Sequence, residues 1–195
     1  MDFEPFGTQR DAIEAPSGPV LVLAGPGAGK TFCLIRRIEH LIASGQYAPE
    51  RICAVTFTNK AAEEVTARLH ARLGGRADPI THGTLHALCL GILREHPREI
   101  GLQRGFGVAD EEYQRLLLRR LSVYPERRRN HLLTLFGRHR LQGYELTEGD
   151  DAIYDSYLSL LHGKNLVDFD DIIALTDRLF RQHPQIADAT AACWD

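Results

Sequence analysis

Val20-Leu21-Val22-Leu23-Ala24-Gly25-Pro26-Gly27-Ala28-Gly29-Lys30-Thr31 carries more structural information than any other run in the chain. Its first four residues form the short apolar run expected of a buried strand. Residues 32–44 follow as a helix, with Cys33, Leu34, Ile35, Ile38, Leu41 and Ile42 apolar and Gly45 as a stop signal. Between strand and helix lies a glycine-rich turn closed by Gly-Lys-Thr, the context in which a phosphate-binding loop works. Glycines let the backbone curl so that successive N–H groups face an anion, and the helix N-terminus adds partial positive charge. Lys30 has the reach for β- and γ-phosphates, and the Thr31 hydroxyl can hold Mg²⁺. The strict pattern opens on glycine, where this chain has Ala24. An ordinary glycine turn is the plain alternative, and the agreement of strand, turn, Lys-Thr and helix weighs against it.

Outward from this loop the same alternation continues. Ile52-Cys53-Ala54-Val55-Thr56-Phe57 reads as a second buried strand. Thr58 or Asn59 can cap the next helix, on which Val65, Leu69 and Leu73 share a face before Gly74-Gly75. A short extended piece, Pro79-Ile80-Thr81, leads to Gly83-Thr84, and a helix is expected from Leu85 to about Glu95. From Asp110 to His162 the chain turns charged and helical, with no strand signal and breaks at Pro125, Gly143 and Gly149. Beyond Lys164, Asp168 can cap a helix carrying Ile172, Leu175 and Leu179 on one face. Strand–helix units around a phosphate loop imply an α/β fold, a parallel sheet covered by helices, with the helical block inserted. The expected division is 1–105, 106–163 for the inserted subdomain, and 164–195 for the return to the first domain.

Composition narrows the class. At 195 residues with 44% hydrophobic and 25% charged residues, the chain reads as an ordinary soluble protein with room for one domain or two small ones. No apolar run approaches the ~20 residues that span a bilayer, and the acidic N-terminus lacks a signal-peptide pattern, so a cytoplasmic, membrane-free setting is expected. Cys33, Cys53, Cys89 and Cys193 are widely spaced and suggest reduced thiols rather than a metal site. With a net charge of −3, any nucleic-acid contact needs a local groove.

Three segments together resemble a known family. Ala24–Thr31, then Ala54-Val-Thr-Phe-Thr-Asn-Lys-Ala-Ala62, then Gly83-Thr84-Leu85-His86-Ala87-Leu88-Cys89 are similar in order and spacing to the UvrD/Rep/PcrA superfamily 1 DNA helicases. Gln9-Arg10 resembles their glutamine motif, and Val167-Asp168-Phe169-Asp170-Asp171 a segment shortly before their Asp-Glu motif. The resemblance implies a RecA-like phosphate-loop NTPase domain using ATP and Mg²⁺, with Lys30 and Thr31 catalytic. The nucleotide contacts it implies are Gln9, Arg10, Ala24, Gly25, Pro26, Gly27, Ala28, Gly29, Lys30, Thr31, Phe32 and Arg37. Phe32 stands where many relatives have arginine, and Leu85 where they usually have an aromatic. For single-stranded DNA, or a single-strand/duplex junction, it implies stacking by Phe57 and contacts from Thr58, Asn59, Lys60, Thr84 and His86. It also implies that the Asp-Glu pair and a second motor domain lie outside this chain, and that translocation runs 3′ to 5′, in repair or replication.

Several readings stay open beside it. The motor part of an AddA- or RecB-like helicase–nuclease shares these motifs, a nucleotide-binding module without turnover is the non-enzymatic reading, and a phosphate-loop kinase fits the Thr56–Ala62 run poorly. Asp110-Glu111-Glu112 and Asp168–Asp171 are expected to open helices rather than bind metal. Arg127-Arg128-Arg129, Arg138, His139 and Arg140 are expected to form a solvated helix face.

Overall fold

The computed structural model describes residues 4–194. These divide into two compact units: the first runs to Leu85 and resumes at Ala189, and the second spans His86–Asp188. The units part near residues 85 and 188. The helices around residues 86–95 and 169–182 group with the helical block.

In the first unit, helix α1 (Thr8–Glu14) precedes the phosphate loop, and α2 (Lys30–Ala43) follows it. The parallel strands β1 (Cys53–Thr56) and β2 (Thr81–Thr84) pair in register Cys53↔Thr81 through Thr56↔Thr84, with α3 (Asn59–Leu73) as their crossover. Thr58 caps α3 by accepting from the Ala61 N–H, as its position before the apolar face suggests. Ile35, Ile38 and Ile42 of α2 and Val65 and Leu69 of α3 pack with Ile52, Ala54, Ala77 and Ile80 into one core. Sheet and helices thus share a single buried face. Near the C-terminal end of the described chain, Arg51 donates to the Ala192 carbonyl and the Trp194 indole to Thr81 Oγ1.

The expected strand at Val20–Leu23 is not one. Among the described residues no strand pairs with this segment, and Leu21 and Leu23 are 83% and 86% exposed. Strand formation is decided by a partner's hydrogen bonds, which the apolar run itself does not encode. A cleft of about 570 Å³, lined by Val20, Val22, Leu34, Val55 and Phe57 among others, lies between this segment and β1. The two faces of β1 differ in cover: Ala54 is buried, while Val55 is 44% exposed.

The second unit holds α4 (Leu85–Glu95, from its second residue), α5 (Glu111–Arg120), α6 (Glu126–Gln142), α7 (Glu148–His162), α8 (Phe169–Gln182) and most of α9 (Pro184–Ala191). Asp110 caps α5 by accepting from Tyr113 N–H, and Thr147 caps α7. Asp168 forms a reciprocal capping box with Asp171 on α8, the role expected of it. A pair of two-residue parallel strands, β3 (Gly107–Val108) and β4 (Leu166–Val167), joins the two ends of the helical block; the sequence carries no signal for it. Leu117, Leu118, Leu132, Phe136, Tyr157 and Leu161 fill one core. Leu93, Phe106, Val167, Ile172, Leu175 and Leu179 fill another.

Candidate functional site

The phosphate loop has the backbone its glycines allow. Gly27 and Gly29 sit at φ 75° and 82°, the left-handed region that β-carbons oppose, and Gly29 caps α2. Lys30 is the first residue of α2 and Thr31 the second. Its ammonium donates to the carbonyls of Ala24 (2.9 Å) and Gly25 (2.8 Å) and so folds back over the loop. Ala24–Ala28 are exposed, as is Lys30, which leaves the loop open to a ligand. Gly25 and Pro26 need no positive φ; Ala24 occupies the strict motif's glycine position at no cost in backbone strain.

Beside the loop lies a cleft of about 630 Å³. Its walls include Phe6, Thr8, Gln9 and Ala12 on one side, Val20–Ala24 along the run before the loop, and Ala28, Lys30 and Cys33. Gln9 Nε2 donates to the Ala28 carbonyl at 3.3 Å, which ties α1 to the loop. The Phe6 ring is 71% exposed at this wall. Sequence reasoning passed over Phe6, because a single aromatic ahead of a seven-residue helix has no periodic context. Arg10 is exposed on α1, and Phe32 is half-buried in the first turn of α2.

Arg37 lines the 570 Å³ cleft with Lys30 and Thr31, and its guanidinium is engaged by backbone carbonyls. Its Nη1 donates to the carbonyls of Ala12 (3.1 Å), Ile13 (3.3 Å) and Ala15 (3.0 Å), and its Nη2 to Pro16 (3.5 Å). The last carbonyls of a helix have no partner within it, and a guanidinium is well shaped to satisfy them. Arg37 fastens α1 to α2.

At the end of β1, Phe57 is 95% exposed, so it is no core residue. Thr58, Asn59 and Lys60 beside it are exposed as well. Thr56 Oγ1 donates to the carbonyls of Thr58 and Gly83 and ties this corner to β2, which ends at Thr84. An exposed aromatic flanked by amide, hydroxyl and ammonium groups suits stacking with phosphate contact.

Within the second unit His86 meets Phe169, with ring centroids 5.3 Å apart and planes tilted by 48°. Phe169 is 58% exposed. The helical period places it on the apolar face of α8 with Ile172, and only the fold shows that this face runs past the packed core at its N-terminal end.

Behind Phe169 is a buried polar cluster. Arg140 donates from Nη1 to Asp171 Oδ1 at 2.8 Å and from Nη2 to Asp168 Oδ2 at 2.9 Å. The Tyr157 hydroxyl donates to Asp168 at 2.7 Å, and His162 Nε2 lies 2.9 Å from Asp171. Burial pushes the Asp171 carboxyl up, but His162 and Arg140 together outweigh it and hold the group below the usual carboxylate range. Asp170 is shifted the other way, raised by burial. Burial likewise pushes the Tyr154 phenol up, to about 12, and the Tyr157 phenol further. Arg140 is therefore no part of a solvated basic face. Arg128 pairs with Asp150, and Arg129 donates to the Val123 carbonyl. Arg127 and Arg138 are exposed as expected.

Among the described residues no group of three or more His, Cys, Asp or Glu side chains could hold a metal ion. No helix there is long and apolar enough to cross a membrane. The four cysteines are free thiols, with Cys53 and Cys89 pushed up by burial.

The family described as the UvrD/REP helicase N-terminal domain matches residues 7–195. The chain belongs to that family. It is 33% identical over 196 residues to the ATP-dependent DNA helicase PcrA of Bacillus subtilis, covering 91% of this chain and 26% of that protein. It is 35% identical to PcrA of Leuconostoc citreum, with the same coverage. Against the ATP-dependent DNA helicase Rep of Buchnera aphidicola it is 33% identical, covering 92% of this chain and 30% of the relative. This UvrD/REP N-terminal segment thus spans under a third of the curated relatives it matches. The helices and parallel strands of the structure are consistent with that family.

Proposed function

We propose that this segment is the ATP-binding and single-stranded-DNA-binding start of an ATP-dependent DNA helicase motor. The observation that carries the reading is the phosphate loop: two left-handed glycines deliver Lys30 and Thr31 at the N-terminus of α2, inside a family of helicase domains. The sequence's finer expectations belong to the same proposal: a RecA-like sheet, the helical block of 106–163 as an inserted subdomain, and 3′-to-5′ movement in repair or replication. The exposure of Val55 on β1 and the Val20–Leu23 segment, which pairs with no strand among the described residues, support a larger sheet in the intact protein, because parallel strands are ordinarily covered on both faces.

The donor set fits a nucleoside triphosphate with Mg²⁺. The amides of Gly27–Thr31 and the Lys30 ammonium suit β- and γ-phosphate oxygens, and the Thr31 hydroxyl suits the metal. Bound there, Mg²⁺ would neutralise charge on the β- and γ-phosphates. Lys30 leaves its two loop carbonyls for the phosphates and stabilises charge where it grows during transfer. Gln9 presents donor and acceptor to a base edge, and Phe6 offers it a stacking face. Arg10 and Phe32 stay among the proposed contacts. Single-stranded DNA would stack on Phe57 and meet Thr58, Asn59, Lys60 and Thr84. His86 and Phe169 form a second aromatic surface, in the other unit.

The test is Lys30→Ala in the intact protein. DNA-stimulated ATP hydrolysis should fall by at least ~10³-fold, the scale of a lost charge stabiliser in phosphoryl transfer. Hydrolysis retained within a few-fold of wild type would remove the motor reading.

A further inference from the structure

Four hydrogen bonds place Arg37 in an indirect role. α1 has seven residues, too few to be stable alone, so its position depends on what holds it. Two polar ties hold it at opposite ends. Near its start Gln9 reaches the Ala28 carbonyl of the phosphate loop. At its end Arg37, about two turns into α2, takes the carbonyls of Ala12, Ile13, Ala15 and Pro16. Ile13, 5% exposed, supplies the apolar anchor between them.

Geometry gives these ties different consequences. α2 begins with Lys30 and Thr31, which the phosphates would meet. α1 contributes Gln9 and Ala12 to the wall of the 630 Å³ cleft beside the loop. The phosphate side is therefore built on α2, and the base side on α1. Arg37 supplies the polar lock between the two helices without lining this cleft; it lines the 570 Å³ cleft with Lys30 and Thr31.

We infer that Arg37 is a positioning residue for base selectivity: by fixing the C-terminal carbonyls of α1 to α2 it sets the distance of Gln9 from the phosphate loop. This inference rests on the nucleotide reading proposed above. The glutamine amide matches adenine, whose 6-amino group donates and whose N7 accepts. Guanine offers two acceptors on the same edge, leaving the amide oxygen without a partner. Such discrimination requires the amide to stand at hydrogen-bond distance from the base while the triphosphate is held by the loop. A guanidinium fork spanning four carbonyls fixes that distance, and an ammonium makes only a point contact.

The experiment compares ATP, GTP and inorganic tripolyphosphate binding to the intact protein by calorimetry, for wild type, Arg37→Ala, Arg37→Lys, Gln9→Ala and the double variant Gln9→Ala/Arg37→Ala. Arg37→Ala should weaken ATP by about tenfold, the weight of one well-placed hydrogen bond, and leave tripolyphosphate within about twofold. Its ATP-to-GTP preference should fall to that of Gln9→Ala, and the double variant should lose no more than Gln9→Ala alone. Arg37→Lys should fall between wild type and Arg37→Ala. Equal loss for ATP and tripolyphosphate would show that Arg37 supports the loop itself and overturn the inference. So would an unchanged ATP-to-GTP preference. If Arg37→Ala does not fold, Arg37→Lys is held to the same criteria. Wild type that binds neither ATP nor tripolyphosphate would defeat the nucleotide reading, and this inference with it.

Discussion

Arg140 is the residue whose chemistry the sequence most misleads about. It lies among arginines and histidines on α6, yet its side chain is 6% exposed and sits between two carboxylates. Its Nε is buried with no partner among the described residues, so the guanidinium gives one hydrogen bond to each of two carboxylates and leaves one donor unused. Arg140→Met keeps the aliphatic bulk and strands Asp168 and Asp171 without their shared cation. A stability loss of about 3–5 kcal/mol is expected, because removing one partner leaves the other charges buried. Urea denaturation checks it, and a loss under about 1 kcal/mol would mean that water or His162 replaces the guanidinium. Tyr157 and His162 extend the cluster, so single substitutions within it will not add.

At the scale of elements, the same cluster fastens α6 and α7 to the N-terminus of α8 and thereby fixes where Phe169 emerges. It also makes that junction acid-sensitive. The Asp171 carboxyl is depressed below its ordinary value of 3.8 in the folded chain. A depressed carboxyl contributes stability above its unfolded value, and loses it as pH falls through the folded one. Wild type should therefore lose stability more steeply than Asp171→Asn as pH drops below 3.8. Asp170, raised by burial, contributes with the opposite sign, and it is common to both proteins. Parallel slopes in thermal melts across that range would contradict the assignment. Elements like α8 were legible because their signals are local: a capping residue, a period of 3.6, a stop. α2, α3 and α5–α7 were legible on the same grounds. Phosphate-loop residues were legible because left-handed backbone demands glycine at Gly27 and Gly29. Non-local facts were not. Val20–Leu23 reads as a strand, but pairing is set by a partner elsewhere. β3 and β4 are too short for any period, and neither the carbonyl partners of Arg37 nor the carboxylate partners of Arg140 leave a trace in spacing.

The whole molecule poses one physical puzzle, and the proposed larger sheet answers it. Val20, Val22 and Val55 line a cleft of about 570 Å³, and Leu21 and Leu23 of the same run are exposed; none of the described residues fills that cleft. Surface of that kind marks a site that another part of a protein covers. If strands beyond this segment pair with Val20–Leu23 in the intact protein, Leu21 and Leu23 are exposed here and buried there. Leu21→Thr/Leu23→Thr separates the two cases, because threonine keeps strand propensity while removing apolar contact. In the 195-residue chain the double substitution should change stability by less than about 0.5 kcal/mol, as exposed positions do. In the intact protein each leucine should cost roughly 1.5–3 kcal/mol, the worth of burying such a side chain. Denaturation of both lengths checks it. Equal effects in the two would mean that Val20–Leu23 stays at the surface of the full motor, and that the phosphate loop is held by α1 and α2 alone.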